Sequence, residues 1–137
     1  MADYAKPLPR PMDPKLTQPF WEAAKRHELI IPRCRSCSRY FWYPRQACPR
    51  CLKEDWEWTP ASGRGRLYSY TVVRQPQNPA FQEDVPYAYA IVQLEEGVRM
   101  ISNVVGAPVE ELRVDMPLAV TFDDVTPEQT LVKFKPA

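Results

Sequence analysis

Cys34-Arg35-Ser36-Cys37 and Cys48-Pro49-Arg50-Cys51, with ten residues between them, decide how this chain is read. A tetrahedral metal needs four soft ligands converging on one point, and two C-x-x-C knuckles joined by a small hairpin supply that geometry. The four positions use every cysteine of the sequence. The spacing therefore predicts a ribbon holding one structural Zn²⁺ through Cys34, Cys37, Cys48 and Cys51. Iron in the same tetrathiolate is the competing metal, and a redox-active pair would need no second knuckle at this distance. A site closed by four thiolates keeps no position for water, so its expected work is to staple a segment too small to fold alone.

The segment between and around the knuckles is aromatic and basic. Tyr40-Phe41-Trp42-Tyr43-Pro44 lies between them, and Trp56 and Trp58 follow. Part of this is expected to cover the metal, and part to dock a neighbouring domain or a partner protein. Arg33, Arg35, Arg39, Arg45, Arg50 and Lys53 stand with no acid between Leu29 and Lys53. They form either a solvated basic face or an anion site.

Upstream, Met1 to Met12 carry Pro7, Pro9 and Pro11 and read as an extended arm rather than a packed element. Asp13-Pro14 reads as an N-cap followed by proline at the first helical position, with Thr17 as a second possible cap. Phe20, Trp21, Ala23, Ala24 and His27 have the spacing of one helix face, and Leu29 to Pro32 reads as a strand feeding the first knuckle.

Downstream the period changes to two. Leu67, Ser69, Thr71 and Val73 are expected on one face of a strand and Tyr68, Tyr70 and Val72 on the other. Further strands are expected at Tyr87–Leu94, at Val98–Val105 after the Glu95-Glu96-Gly97 turn, around Leu118, Val120 and Phe122, and at Leu131–Phe134. Val109 to Leu112 reads as one helical turn. Five strands with a helical interruption between the third and fourth predict a Greek-key barrel of the OB type. The fold class is thus mainly β: an N-terminal helix, a zinc ribbon and a five-stranded OB-fold barrel. The expected boundaries are 1–28, 29–60 and 61–137.

Composition narrows the function. The net charge of +1 argues against a protein that coats nucleic acid, because such binding runs on phosphate neutralisation. No apolar run spans a bilayer and no signal peptide is read at the N-terminus, so a cytoplasmic setting is the default expectation. With every thiol assigned to metal and His27 as the lone histidine, no nucleophile–base pair for acyl transfer stands out, and no catalytic residue is assigned. Gly63-Arg64-Gly65 precedes a strand, so it reads as a turn or bulge and not as a phosphate cradle. Asp123 and Asp124 have no evident partner.

Several motifs stand in a particular order. They are Pro19-Phe20-Trp21-Glu22, the two knuckles, Ser62-Gly63-Arg64-Gly65-Arg66-Leu67-Tyr68-Ser69-Tyr70-Thr71, Pro79-Ala80-Phe81, Val85-Pro86-Tyr87 and Asn103-Val104-Val105-Gly106. Together they resemble the thiolase-associated family also called domain of unknown function 35, over about Thr17 to Pro136. The resemblance implies a rubredoxin-like ribbon joined to an OB-fold. It also implies a non-catalytic accessory subunit that binds acyl-CoA and completes or bridges the active site of a thiolase-like enzyme, an acyltransferase, condensing enzyme or aldolase, with a second enzyme of the same pathway, such as a hydratase, as a further candidate partner. On that reading Arg33, Arg35, Arg45, Arg64, Arg66 and Arg74 are candidates for the CoA phosphates. Phe20, Trp21, Tyr40, Phe41, Trp42 and Phe81 are candidates for the partner interface. The alternative is a single-strand nucleic-acid module in which Tyr68, Tyr70, Tyr87 and Tyr89 stack bases.

Overall fold

The computed structural model describes residues 4–11 and 13–137; Met1–Asp3 and Met12, the ends of the expected arm, lie outside the described residues. The first regular element is helix α1, Pro14–Lys25. Asp13 Oδ1 accepts from the Leu16 N–H at 3.2 Å, which caps the helix, and Pro14 sits where its missing N–H costs nothing. Thr17 is not a cap: its hydroxyl donates to the Asp13 carbonyl from within the first turn. Phe20, Ala23 and Ala24 are the buried face, and the helix packs on the barrel's last strand and on the first strand of the ribbon.

His27 departs from the expected helical face. The helix ends in a Schellman motif, with His27 N–H donating to Ala24 C=O and Glu28 N–H to Ala23 C=O, both at 2.9 Å. His27 occupies the left-handed position at φ 59°, where glycine is usual. It therefore points off the helix axis rather than along its apolar stripe.

Strands β1 (Ile30–Cys34) and β2 (Trp56–Pro60) form a two-stranded antiparallel sheet, Ile30 opposite Pro60 and Cys34 opposite Trp56. The knuckles hang between them. Five further strands make the second sheet: β3 (Arg64–Val73), β4 (Tyr87–Leu94), β5 (Arg99–Ser102), β6 (Pro117–Asp124) and β7 (Thr130–Pro136), in the order β5-β4-β3-β6-β7. Short 3-10 turns at Pro79–Phe81 and Val109–Glu111 interrupt the two longest connections within this five-stranded sheet. The sheet curls on itself. Phe134 N–H donates to Asn103 C=O at 3.0 Å, Val105 N–H donates to Phe134 C=O at 2.8 Å, and Val104 bridges Phe134, so β7 meets the chain just beyond β5. This is the OB-fold half-barrel with its helical turn between the third and fourth strands.

Two strand expectations need correction. The third barrel strand stops at Ser102 instead of running to Val105, because Asn103 leaves the ladder to donate its side-chain amide to Ala88 C=O at 2.8 Å, and Val104 turns to close the barrel. The simple alternation in β3 also fails. Tyr68 is an extra residue: Leu67 pairs with Val92, and Ser69, two residues on, pairs with the adjacent Ile91. This β-bulge shifts the parity, so Leu67 and Tyr70 face the interior and Ser69 and Thr71 face out. Tyr70 then spends its hydroxyl on Leu112 C=O at 3.1 Å, which removes it from any outward row of tyrosines.

The core holds Leu67, Val92, Leu118 and Phe134, none more than 1% exposed. Full burial of each such side chain contributes about 1.5–3 kcal/mol. Gly63 and Gly65 let β3 enter this barrel. Gly63 adopts φ +78°, and a Cβ on Gly65 would meet Gln93 O at 2.5 Å. The arm is extended but not free. Tyr4, Lys6 and Leu8 are half-buried, Lys6 Nζ meets Asp84 at 2.6–2.8 Å, and Gln129 donates to Pro9 C=O. No helix of the described residues is long and apolar enough to cross a membrane.

Candidate metal centre and docking groove

The four cysteine sulfurs all lie within 4.8 Å of one another. Cys34 Sγ is 3.5 Å from Cys51 Sγ, and Cys37 Sγ is 3.7 Å from Cys48 Sγ. These are not disulfide distances, which are close to 2.05 Å. They are near the edge of about 3.8 Å that a tetrahedron with Zn–S bonds of about 2.3 Å requires. Backbone N–H groups face the sulfurs: Cys37 N–H is 3.5 Å from Cys34 Sγ, and Arg50 N–H is 3.4 Å from Cys48 Sγ. The N–H groups of Cys51 and Arg50 pull the Cys48 thiol down to about 7, and the Cys37 N–H lowers Cys34 in the same way. The donor set is four sulfurs closed on one point, with Cys34 and Cys48 favoured as anions and the Cys51 thiol pushed up to about 11, where a bound cation would have to displace its proton; four soft ligands at this spacing fit one structural zinc. When bound, the zinc holds the two knuckles together. Around it the ribbon buries little else, chiefly Phe41 edge-on to Trp56 with ring centres 5.6 Å apart.

The aromatic stretch divides between two jobs. Phe41 turns inward to the metal cluster, whereas Tyr40 packs on the main core with Arg33 over its ring at 5.2 Å. Trp42 turns the opposite way from Phe41. Its ring lies 5.1 Å from Phe20, which is edge-on to Trp21 at 5.2 Å. Phe20, Trp21 and Trp42 line one apolar groove of about 440 Å³, together with Met100, Ile101 and Val132 of the barrel. Tyr43 braces it by accepting the Ile101 N–H at 3.1 Å, and Trp42 Nε1 is buried there with no hydrogen-bond partner. Phe81 is not part of this groove. It lines a separate hollow of about 630 Å³ beside Tyr4, Lys6 and Tyr87. Reading the sequence could identify these aromatics but not that α1, the ribbon and β5 would bring three of them together.

The six candidate arginines are spread over several elements. Arg33 lies on β1 and donates to Ser38 C=O. Arg35 pairs with Asp55 at 3.0 Å and Glu57 at 3.2 Å, and Arg45 is exposed in the ribbon. Arg64 pairs with Glu95 at 3.3 Å, and with Arg66 and Tyr68 it lines a hollow of about 560 Å³. Arg74 is exposed just past the end of β3. The acids flanking Arg35 and Arg64 lie far away in sequence and become neighbours only through β-pairing.

One polar cluster was not legible in the sequence, since its central pair, His27 and Asp124, lies 97 residues apart. His27 Nε2 is 2.9–3.0 Å from both Asp124 oxygens, its ring is stacked on Phe122, and the Thr130 hydroxyl donates to Asp124 at 2.6 Å. The hydroxyl is bonded to the carboxylate and not to the imidazole, so the three groups lack the hydroxyl–imidazole pair that activates a nucleophile. The cluster instead ties the end of α1 to the barrel. Thr130 first, and then His27, hold the Asp124 carboxyl below its usual value. A carboxyl lowered on folding stabilises the fold above its unfolded pKa and loses that contribution as pH falls through the folded value. Asp124→Asn is therefore expected to flatten part of the stability loss as pH falls through the ordinary carboxylate range and below it, read from urea midpoints. A variant with the wild-type slope would remove this pair from the account.

Comparison with known proteins gives a consistent result. Residues 21–57 match the family described as ChsH2, rubredoxin-like zinc ribbon domain, and residues 58–123 match ChsH2, C-terminal OB-fold domain. A probable enoyl-CoA hydratase alpha subunit of Thermomonospora curvata is 40% identical over 119 residues, 86% of this chain but 37% of that protein's length. The chain thus spans little more than a third of that relative. A DUF35 domain-containing scaffold protein of Methanocaldococcus jannaschii is 33% identical over 110 residues, covering 79% of this chain and 77% of the relative. Among solved structures, a chain of the Ltp2-ChsH2(DUF35) aldolase superposes with a TM-score of 0.83 at 37% identity, covering 93% of this chain and 98% of that one.

Proposed function

The chain belongs to the DUF35 family of zinc-ribbon and OB-fold proteins, and on that premise we propose that it is an accessory subunit, not catalytic alone, of an enzyme that acts on acyl-CoA. The enzyme it would join has the thiolase fold, as an acyltransferase, condensing enzyme or aldolase. The observation that carries this reading is the superposition on nearly the whole of a DUF35-labelled chain from an aldolase assembly. The chemistry of the site supports it. All four thiols are committed to the metal centre, and the Thr130–Asp124–His27 cluster is wired as a brace. In the same proposal the chain divides into arm and helix (1–28), ribbon (29–60) and barrel (61–137).

The groove of Phe20, Trp21 and Trp42 is the partner's anchor. Aromatic side chains in a cleft whose rim is half-exposed match the residues that dominate interface energy. Of the six candidate arginines only Arg64 and Arg66 share a hollow, so that pair is the proposed site for CoA phosphates, with Arg64 joining when Glu95 releases it. Native mass spectrometry of the chain co-expressed with its neighbouring gene products tests the reading, since it reports metal, partner and stoichiometry together. A chain found alone, or active as a catalyst by itself, would sink it. Within such a complex, Trp42→Ala is expected to weaken assembly by about 2 kcal/mol, roughly thirtyfold, with zinc content unchanged. Parallel loss of zinc would show that Trp42 holds the ribbon instead of the partner.

A further inference from the structure

Strand β3 has one edge without a neighbour. Up to Leu67 it is flanked on both sides: β4 pairs with one edge, and β6 with the other through Arg64, Gly65 and Arg66. The β6 side closes at Leu67, which donates to Met116 C=O and accepts from Asp115 N–H. Beyond the Tyr68 bulge only β4 remains, opposite Ser69 to Val73.

The direction of each backbone group follows from antiparallel geometry, in which the N–H and C=O of one residue point to the same side and those of the next to the other. Ala88 C=O accepts from Asn103, and Leu94 is bonded on both its N–H and C=O within the turn to β5. The even-numbered residues of β4 therefore face β5. The odd ones, Tyr87, Tyr89 and Ile91, face β3 and bond to Val73, Thr71 and Ser69. Tyr70 and Val72 are left pointing the opposite way, out of the sheet. Among the described residues no backbone or side-chain group pairs with their two N–H and two C=O groups.

The devices that usually blunt such an edge are absent from it. Tyr70-Thr71-Val72-Val73 contains no proline and no charge, and the bulge lies before this stretch rather than in it. Its flank is apolar as well: Val114, next to the Asp115 that ends the β6 cover, is 59% exposed.

We propose that the open β3 edge at Tyr70 and Val72 takes up an extended, uncharged strand of the enzyme subunit with which the chain assembles. The identity of the occupant rests on the accessory-subunit reading; the open edge does not. Unpaired backbone groups recognise backbone, which is how strand addition binds. A second copy of the chain is a poorer occupant. Two stretches of four residues paired about a two-fold axis would bury far less than the roughly 1,200 Å² at which stable interfaces begin. The occupant therefore needs a further anchor, which the aromatic groove offers to a large partner.

The test uses the complex formed on co-expression with the neighbouring gene products. Amide exchange at Tyr70 and Val72 is expected to slow by at least about tenfold in the complex relative to the chain alone, as for a hydrogen bond newly made. Val72→Pro removes an outward N–H at an edge position where proline is tolerated, and should weaken assembly by about tenfold. Val72→Ala, which keeps the N–H, should bind like wild type, and both should keep their zinc. Unchanged exchange in an intact complex would overturn the edge and leave the accessory role standing. If Val72→Pro does not fold, the exchange of the wild-type chain decides alone. A dimer of this chain that Val72→Pro dissociates would assign the edge to a second copy and overturn the proposal. Failure of any enzyme to co-purify would overturn both readings.

Discussion

Cys48→Ser is expected to empty the metal centre and unfold residues 35–55, while the barrel keeps its strands. Cys48 is 1% exposed and opposes Cys37 at 3.7 Å, so no other side chain stands ready to replace its sulfur. The ribbon has little else to fall back on. Its buried cluster is two of the cysteines and Phe41, with the other two cysteines and Trp56 half-covered around it. Structural zinc sites contribute on the order of 10 kcal/mol or more to such modules, far above what one aromatic pair supplies. Metal analysis should fall from one zinc per chain towards none, and a chelator should do the same to the wild type. The consequence reaches the groove, because Trp42 and Tyr43 are carried by the same segment. Partner assembly is therefore expected to disappear with the zinc. A ribbon that kept its amide protection without metal would show that packing alone holds it.

Phe134→Ala is expected to cost about 3–5 kcal/mol, a large part of the 5–15 kcal/mol available to a domain of this kind. Phe134 is 0% exposed, and it is where the barrel closes. Its side chain fills the interior, while its N–H and C=O bond Asn103 and Val105 across the seam between β7 and the end of β5. A cavity there loosens both the core and the closure. The check is a urea titration followed by barrel signals, with zinc content measured in parallel. Phe134→Leu, which keeps most of the volume, should recover well over half of the loss. A small effect of the alanine variant would mean that the seam is held by its backbone bonds alone.

The two variants should separate. The cysteine change should strip metal first and the phenylalanine change should melt the barrel first, because the two clusters share no buried residue. Both modules were legible in the chain for local reasons. The knuckles are each four residues long, so the ligand set is written in adjacent positions. The cap at Asp13 spans three residues, and the run Tyr87 to Leu94 shows its alternation directly.

What could not be read were features depending on a count that slips or on distant residues. A single extra residue at Tyr68 reversed the inward and outward sides of half of β3, and nothing in a period-two pattern announces a bulge. His27 has the spacing of a helical face, but the Schellman turn ends the helix just before it and hands it to Asp124 at the end of β6, 97 residues further along the chain. The aromatics offered as interface candidates were visible as residue types, yet their grouping was not. Phe41 and Trp42 are neighbours in sequence and serve opposite sides of the segment, and Phe81 lines a different hollow.

The sequence by itself determined the metal ligands, the helix start, the order of five strands and the family likeness, since each rests on spacing within a few residues or on motifs in a fixed order. Only the tertiary structure decided which aromatics share a groove, which arginines are already paired with acids and which edge of β3 is left open. These depend on register and barrel closure, where contacts join residues tens of positions apart and one inserted residue changes the face that every later side chain presents.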